Sequence, residues 1–200
     1  MKALLLFSGG MDSTYLLHEL LRENVGEGKR QVPNTIKEVV CLSFNYGQPH
    51  ADKELTAAKE ITNQLGITHL FEILDFPFLK QDMVGTPVVP NRNMIFLSVA
   101  GAVATTQGCE IIFIGCTKSD YQVFPDCRPV FLLPMSEAMT HAIGVSVVAP
   151  LVMQTKADIV KGGARHGIDW GQTWSCYAGL DEPCGKCVAC VEREKALCES

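Results

Sequence analysis

The 200-residue sequence lacks the long apolar runs and charge blocks that would direct it to a membrane or to nucleic acid. No apolar run reaches the roughly 18 residues of a membrane-spanning helix, and the Ala3–Phe7 run is too short for a secretory signal. The formal charge is −5, without a basic block of the kind that binds duplex nucleic acid. We therefore expect a cytoplasmic protein that acts on a small molecule and makes no direct contact with nucleic acid or a membrane.

Internal repeats and low-complexity segments are also absent. With 47% hydrophobic and 20% charged residues, the chain has an ordinary globular composition and enough apolar residues for a sizeable core. The length fits one domain with a small appendage. We place the main domain at residues 1–170 and a cysteine-rich segment packed on it at residues 171–200.

Cysteine, in contrast, is abundant, with nine residues, of which Cys176, Cys184, Cys187 and Cys190 are bunched near the end. The odd total and the lack of a secretory signal favour a reducing compartment and a metal over disulfides. Four converging thiolates form the usual structural zinc site, so we expect Zn²⁺ in a structural role. An iron–sulfur cluster and redox or persulfide chemistry are the alternatives.

Short apolar runs alternate with helical patterns along most of the chain. The predicted strands are Ala3–Phe7, Val39–Phe44, His69–Leu74, Glu110–Gly115 and Ser146–Ala149. The predicted helices are Ser13–Leu21, Ala51–Leu65, Asn93–Thr106, Phe131–Ile143 and one that Thr155 and Asp158 cap. This alternation predicts an α/β fold with a doubly wound, mostly parallel sheet covered on both faces. In such sheets ligands bind beyond the carboxyl ends of the strands.

A glycine-containing loop, Ser8-Gly9-Gly10-Met11-Asp12-Ser13-Thr14, joins the first predicted strand to the first predicted helix. Two glycines let the backbone come close to an anion, and the helix N-terminus offers free N–H groups with a partial positive charge. No Walker motif occurs in the chain. From these residues alone, a phosphate site and an ordinary strand–turn–helix connection both remain open.

The full S-G-G-x-D-S pattern resembles the pyrophosphate loop of the ATP-pyrophosphatase (PP-loop) superfamily. The resemblance implies the adenine nucleotide alpha hydrolase-like fold, cleavage of ATP between its α- and β-phosphates with Mg²⁺, and transfer of AMP to a substrate oxygen. The catalytic residues that it implies are Ser8, Asp12, Ser13 and Lys156. The nucleotide-binding residues that it implies are Phe7, Ser8, Gly9, Gly10, Met11, Asp12, Ser13, Thr14, Tyr15, Leu16 and Leu17. A solvated first-turn lysine is the alternative for Lys156.

Further segments resemble the 7-cyano-7-deazaguanine synthase family over nearly the whole chain. The matching segments are Asn45-Tyr46-Gly47-Gln48 with His50 and Glu54, Pro90-Asn91-Arg92-Asn93, Asp120-Tyr121 with Pro125-Asp126-Cys127-Arg128-Pro129, and Thr173-Trp174-Ser175-Cys176-Tyr177 with Pro183-Cys184-Gly185 and Arg193. The resemblance implies adenylation of 7-carboxy-7-deazaguanine, displacement of AMP by ammonia to give an amide, and ATP-driven dehydration to the nitrile. It also implies a homodimer. The substrate-binding residues that it implies are Arg92, Asn93, Asp120, Tyr121, Asp126 and Arg128.

The sequence departs from the family pattern at several places. Asn91 replaces a glycine, Pro49 replaces an arginine, the stretch between Leu74 and Pro90 is short, and Asn24–Lys37 resembles an insertion. These departures motivate the hypothesis that the amide is the end-point. An RNA thiolase and a zinc-knuckle binding module are further alternatives, but the acidic charge disfavours the first and the intact loop disfavours the second. Since the chain has no room for a glutaminase domain, ammonia must come from solution or from a partner.

Overall fold

The computed structural model describes residues 1–22, 36–76, 79 and 89–199. Within these residues the centre of the molecule is a five-stranded parallel sheet. Its strands are β1 (Lys2–Leu6), β2 (Glu38–Asn45), β3 (Thr68–Ile73), β4 (Ile111–Phe113) and β5 (Ser146–Val148). They lie in the order β3–β2–β1–β4–β5, with the buried β1 in the middle.

Helices connect successive strands, as a parallel sheet requires. Their bounds are α1 (Met11–Leu21), α2 (Ala51–Leu65), α3 (Arg92–Gln107), α4 (Lys118–Val123), α5 (Pro129–Ile143), α6 (Lys156–Ala164) and α7 (Val188–Cys198). Short 3-10 turns are present at Pro125–Cys127 and Trp170–Gln172. The helix that Thr155 was expected to cap begins at Lys156, with both hydrogen bonds of the capping box to Asp158.

Two apolar cores lie on opposite faces of the sheet because successive strand residues point in opposite directions. Leu4 of β1 packs with α3 and α5 through residues such as Leu97 and Met139. Its neighbour Leu5 packs on the other face with α1, α2 and α6, through residues such as Leu16. This arrangement confirms the predicted doubly wound α/β fold. Because β1 pairs with β2 on one side and β4 on the other, the strand order reverses beside β1, and a ligand crevice forms there at the carboxyl ends.

Some element boundaries differ from the predicted ones. The fourth strand was expected over Glu110–Gly115 but spans only Ile111–Phe113, because its neighbour β5 offers just three residues for pairing. Helices α4 and α7 were not predicted, since α4 has only six residues and α7 carries a run of four charged residues between its uncharged ends, without a clear apolar stripe.

Two sequence expectations lie mostly outside the described residues. They are the suggested insertion at Asn24–Lys37 and the shortened stretch between Leu74 and Pro90. Across the described ranges, no helix combines the length and the hydropathy that crossing a bilayer demands.

Candidate active site

The loop between β1 and α1 is a backbone cradle that requires glycine at its tightest point. Gly9 has a φ of +74°, and a Cβ atom there would lie 2.6 Å from the backbone nitrogen of Ala58. Gly10 is the N-cap of α1 and supplies no side-chain cap, so first-turn N–H groups of the helix remain available. Backbone donors at the positive end of a helix dipole form a binding arrangement for phosphate.

Serine hydroxyls hold this loop in shape. The Ser13 hydroxyl accepts a hydrogen bond from the Ser8 backbone N–H at 3.3 Å and donates one to the Gly10 carbonyl at 3.2 Å. The Gly10 N–H donates to Ser8 Oγ at 3.2 Å. Because all of these bonds lie within the loop, its conformation is set before a ligand arrives, which lowers the entropic cost of binding.

A distant lysine adds positive charge beside the loop. Lys156, at the start of α6, donates to Asp12 Oδ2 at 2.5 Å. Burial opposes the charge of Lys156, but the carboxylates of Asp12 and Asp120 outweigh it and raise the lysine's pKa. Burial raises the pKa of Asp12, against the opposing effect of Lys156. Lys156 is therefore a protonated, partly buried cation at the loop rather than a solvated first-turn lysine.

Two oxygens at the start of α1 are shielded from solvent and lack a hydrogen-bond partner within the described part of the chain. They are Asp12 Oδ1 and Thr14 Oγ1. An unpaired buried oxygen costs free energy, and a carboxylate oxygen beside phosphates is a ligand that Mg²⁺ accepts. Asp12 Oδ1 therefore fits a role in holding Mg²⁺ near phosphates bound by the loop.

Two adjoining cavities open at this edge of the sheet. The first, of about 230 Å³, lies between the ends of β1, β2 and β4 and the first turns of α2 and α3. The second, of about 220 Å³, lies between the loop, α4, Lys156 and α7. Residues that line both are Ser8, Gly10, Asp12, Glu54, Asp120, Phe124 and Tyr177. Together the cavities provide adjoining volumes that share this wall.

The first cavity contains an arginine against aromatic rings. The Arg92 guanidinium donates to Tyr46 Oη at 3.2 Å and lies 5.9 Å from the Tyr46 ring centroid and 5.8 Å from that of Phe96. Phe96 in turn stacks on Phe44 with 4.6 Å between ring centroids. A positioned guanidinium beside flat apolar rings suits a planar heterocycle that carries an acidic group.

Four thiols converge in the C-terminal segment. The sulfur atoms of Cys176, Cys184, Cys187 and Cys190 all lie within 4.8 Å of one another. Backbone N–H groups of Lys186 and Cys187 lower the pKa of Cys184 to about 6, which favours the thiolate that binds metal. The arrangement fits a tetrahedral Zn²⁺ with four cysteine ligands.

This four-cysteine segment docks against the phosphate loop and α2. The Trp174 N–H donates to the Gly9 carbonyl at 3.0 Å, and His50 Nδ1 lies 3.1 Å from the Tyr177 carbonyl oxygen. Gly179 approaches so closely that a Cβ atom would lie 2.1 Å from the Pro49 carbonyl oxygen. The segment thereby forms one wall of both cavities through Tyr177.

Comparison with known proteins identifies the family of this chain. A sequence model described as queuosine biosynthesis protein QueC matches residues 2–200. The chain belongs to the QueC family. It is 39% identical to a 7-cyano-7-deazaguanine synthase of Hahella chejuensis, over 98% of this chain and 88% of that protein. It is 37% identical to the protein of that name from Methanoregula boonei, over 100% and 95% of the two chains.

A solved structure shares the fold of this QueC family member. The U34-tRNA thiolase NcsA from Methanococcus maripaludis, with its 4Fe-4S cluster, matches with a TM-score of 0.59 over 98% of this chain and 63% of that one. At 18% sequence identity the likeness concerns the fold alone.

The six residues predicted to bind substrate separate into two groups in this QueC family member. Arg92, Asn93 and Asp120 line the first cavity. Asp120 also accepts hydrogen bonds from the Thr117 N–H and hydroxyl, at 2.8 and 2.6 Å, which close the capping box of α4.

The other three predicted residues line neither cavity. Asp126 accepts from the Asn93 N–H at 2.9 Å and so supports α3. Arg128 is exposed and donates through Nε to the Tyr121 carbonyl at 3.0 Å. Their direct contact with substrate stays a prediction. Cys127 is buried and accepts from Asn93 Nδ2 at 3.2 Å.

The predicted nucleotide-binding run also separates in the structure. Phe7, Ser8, Gly10, Asp12 and Ser13 line the first cavity and Met11 lines the second. The remaining members are Gly9, which packs on α2, and Thr14, Tyr15, Leu16 and Leu17, which are buried. Tyr15, Leu16 and Leu17 pack in the core beside the sheet, and contact of these last four residues with a nucleotide stays a prediction.

The sequence-based site omitted several cavity residues, chiefly Tyr46, His50, Glu54 and Tyr177. All four belong to segments that resemble the family pattern, but they carry no motif that assigns a chemical role. The four-residue spacing of His50, the N-cap of α2, and Glu54 is the one usable signal, since it places both side chains on the side of the helix start that borders the cavity.

Proposed function

We propose that this chain converts 7-carboxy-7-deazaguanine and ammonia into 7-cyano-7-deazaguanine, with two successive ATP-dependent adenylations. Its relatives named 7-cyano-7-deazaguanine synthase make it an ATP-dependent enzyme that forms carbon–nitrogen bonds. The observation that carries the proposal is the continuity between the phosphate loop and the first cavity. Ser8, Gly10 and Asp12 line both cavities, and Arg92 lines the first.

The loop supplies the electrostatics for nucleotide cleavage in this proposal. The first-turn N–H groups of α1 and the Lys156 ammonium hold the β- and γ-phosphates as pyrophosphate departs. Asp12 Oδ1 would help to hold Mg²⁺, which would neutralise charge on the phosphates. Because the loop is already hydrogen-bonded into shape, these donors need little reorganisation at the moment of reaction.

The first cavity supplies substrate recognition in this proposal. Arg92 pairs with the substrate carboxylate or the α-phosphate through its planar fork. Phe96 and Phe124 offer ring faces to the flat deazapurine. Converting the carboxylate to an acyl adenylate turns a poor leaving oxygen into AMP, which ammonia then displaces.

The four thiols hold a structural zinc ion in this proposal and take no part in the chemistry. Four protein ligands leave no open position for a substrate on a tetrahedral ion. The metal acts through position, since its segment carries Tyr177 into the wall of both cavities. The proposal also includes a homodimer in the cytoplasm, where thiols stay reduced.

The test is a reconstituted reaction. The purified protein is incubated with ATP, Mg²⁺, ammonium chloride and 7-carboxy-7-deazaguanine, and products are followed by mass spectrometry. We expect AMP, pyrophosphate, a transient amide and then the nitrile. Lack of AMP formation that depends on the carboxy compound would overturn the proposal, and accumulation of the amide with excess ATP would favour the amide end-point. The fold likeness to a tRNA thiolase is tested by the same assay with unmodified tRNA and a sulfur donor, where we expect no thiolation.

A further inference from the structure

One carboxylate at the shared wall of the two cavities has no part in holding phosphates. Glu54 lies in the first turn of α2, and its side chain is 19% exposed. Its backbone carbonyl lies 2.9 Å from the position of a Cβ atom on Gly9, so the turn that carries Glu54 packs directly on the phosphate loop. A carbonyl group that receives AMP from a nucleotide in this loop must react near this wall.

We propose that Glu54 is the proton acceptor for the nitrogen chemistry, taking protons from the attacking ammonia and later from the adenylated amide. The inference rests on the proposed function and deepens it, because ATP activation of the carboxylate needs no such base. The loop and Lys156 would then bind the phosphates, and the start of α2 would supply the base for the reactions at nitrogen.

Hydrogen bonding holds the Glu54 carboxylate in one orientation. Oε2 accepts a hydrogen bond from Gln48 Nε2 at 3.2 Å and lies 3.6 Å from His50 Nε2. Gln48 is itself fixed, because its Nε2 donates to the Phe44 carbonyl at 3.2 Å and its Oε1 accepts from the Tyr46 N–H at 2.9 Å. Since both contacts use Oε2, the other oxygen of Glu54 remains for a ligand in the cavity.

The surroundings of Glu54 poise it for proton transfer near neutral pH. Burial raises the pKa of Glu54 to about 7, against the smaller effects of the Gln48 hydrogen bond and the Arg92 charge. Burial lowers the pKa of His50 to about 4, so the neighbouring imidazole is neutral when Glu54 titrates. The titratable or charged groups that face Glu54 are His50 of the loop before α2, Tyr46 of the loop after β2, Arg92 of α3 and Tyr177 of the C-terminal segment.

The other carboxylates of the shared wall are committed elsewhere. Asp12 is paired with Lys156, and one oxygen of Asp120 closes the cap of α4. Lys156 is held protonated by the adjacent carboxylates. Among the carboxylates of the described residues that line both cavities, Glu54 is thus the one with neither a salt bridge to a cation nor a capping role.

The proton balance of the amidation uses Glu54 once. The lone pair of ammonia forms the new C–N bond at the acyl carbon, and the bond from that carbon to the AMP oxygen breaks with its electrons leaving on AMP. The nitrogen then carries one proton too many, which passes to Glu54 and on to solvent. The product is the neutral amide.

The dehydration uses the same carboxylate. After the amide oxygen takes AMP from a second ATP and releases pyrophosphate, the nitrogen carries two protons. Glu54 accepts the first to give the neutral adenylated imidate and, after releasing it to solvent, accepts the second. Loss of that last N–H proton supplies the electron pair of the third C–N bond as the C–O bond to AMP breaks.

The test compares wild-type protein with Glu54→Gln, which keeps the size and hydrogen bonding of the side chain but cannot accept a proton. Glu60→Gln, an exposed position on the same helix, is the matched control. Two reactions are measured with 7-carboxy-7-deazaguanine, namely ATP–pyrophosphate exchange without ammonia and amide plus nitrile formation with ammonia. Glu54→Asp, which keeps a carboxylate, provides a second variant if Glu54→Gln does not fold.

We expect Glu54→Gln to retain exchange and to lose amide and nitrile formation by about 10²- to 10⁴-fold, the usual contribution of a general base. We expect the amidation rate of Glu54→Asp to lie between the rates of wild type and Glu54→Gln, and the rate of Glu60→Gln to match wild type. At constant free ammonia the wild-type amidation rate should rise through pH of about 7, and this rise should be absent from the residual rate of Glu54→Gln.

Unchanged amidation in Glu54→Gln would overturn the inference, and so would a loss of exchange as large as the loss of amidation. If Glu54→Gln does not fold, full amidation by Glu54→Asp with an unaltered pH profile would also overturn it. Failure of the wild-type protein to catalyse exchange with the carboxy compound is a different result, since it would overturn the proposed function itself.

Discussion

The phosphate loop and the four-cysteine segment meet at the same edge of the sheet, but they are built in different ways. The loop is a short stretch of backbone that its serine hydroxyls hold in shape before any ligand binds, while first-turn N–H groups of α1 remain available. The cysteine segment brings four sulfurs within 4.8 Å, and four thiolates at that spacing repel one another unless a cation lies between them. Hydrogen bonds within the loop hold the first region in shape without a ligand, whereas we expect the second region to need a metal.

The two regions are also joined. The Trp174 backbone N–H donates a hydrogen bond to the Gly9 carbonyl, and Tyr177 lines both cavities. A metal with no chemical role can therefore support the reaction by position. We therefore expect substitutions in the loop to abolish activity while the protein stays folded. Substitutions of the cysteines should lower both stability and activity.

The largest effect is expected from loss of a metal ligand. Cys176→Ser should abolish stoichiometric zinc binding, which in small zinc-binding peptides contributes about 10–16 kcal/mol of apparent free energy. We expect a lower melting temperature and loss of turnover, because Tyr177 follows Cys176 directly. Zinc analysis and thermal unfolding measure both effects. Cys198→Ser, at an exposed cysteine of α7, is the control, and a zinc-free Cys176→Ser protein with normal stability and turnover would break the comparison.

The next effect is expected from the phosphate loop. The double variant Asp12→Ala with Ser13→Ala should lower ATP–pyrophosphate exchange by about 10²- to 10³-fold, the range seen when a positioned electrostatic contact to a reacting group is removed. Zinc content should stay normal. Lys59→Ala with Glu60→Ala, at exposed positions of α2, is the matched double control. Normal exchange in the loop variant would refute the assignment of this loop to ATP.

A smaller effect is expected from the tight packing of the loop. Gly9→Ala places a methyl group 2.6 Å from the Ala58 nitrogen at a φ of +74°, which should cost about 2–4 kcal/mol of unfolding free energy. Gly66→Ala shares the left-handed conformation but meets nothing within 4 Å, so it should cost about 1 kcal/mol. Urea unfolding compares the two. Equal losses would mean that the close approach of α2 to the loop is not important for stability.

The smallest effect concerns pH at the junction of the two regions. In the folded protein the pKa of Glu54 is raised to about 7, whereas its ordinary value is 4.5. The bound proton therefore stabilises the folded state at low pH, and this stabilisation is lost as pH rises between those values. His50 acts oppositely, since its pKa falls from 6.5 to about 4 and its contribution is lost as pH falls through that window.

In Glu54→Gln the pH dependence of stability that comes from His50 should therefore no longer be offset by Glu54. The unfolding free energy of this variant should rise more steeply than that of wild type between pH 4.5 and 6.5, with a difference of about 1–3 kcal/mol. Urea unfolding at several pH values measures the slope, and Glu60→Gln should follow wild type. Parallel wild-type and Glu54→Gln curves would show that Glu54 titrates normally.

Much of the fold could be predicted from the order of the elements. Helix Ala51–Leu65 was predicted with its observed bounds, because apolar residues recur at helical spacing and Gly66 ends the pattern with a left-handed cap. Strand β4 was predicted too long, because its length depends on what β5 offers for pairing. Helix α4 was missed, since its six residues are stabilised by a capping box and by its neighbours rather than by an apolar stripe.

The candidate site was predicted most fully where a motif is compact, and in part elsewhere, since Arg92, Asn93 and Asp120 line the first cavity. The phosphate loop and the four cysteines carry their chemistry in their own spacing, and the structure brings each set together. Arg128 and Asp126 were equally prominent in sequence but face a neighbouring carbonyl and a helix N-terminus instead of the cavities. The direction in which a side chain points depends on how the loop packs, and the spacing of residues along the loop gives no information about that packing.

By itself the sequence determined the doubly wound sheet and the grouping of four cysteines, because each depends on periodicity or on short spacing. Through the resemblance of its first loop to the PP-loop pattern, it also predicted a phosphate site. Only the tertiary structure decided that Lys156 pairs with Asp12 across 144 positions and that Tyr177 and Glu54 share one wall. It also decided that burial brings the pKa of Glu54 close to neutrality. Burial and long-range proximity arise only when separate segments pack, so no local pattern can record them.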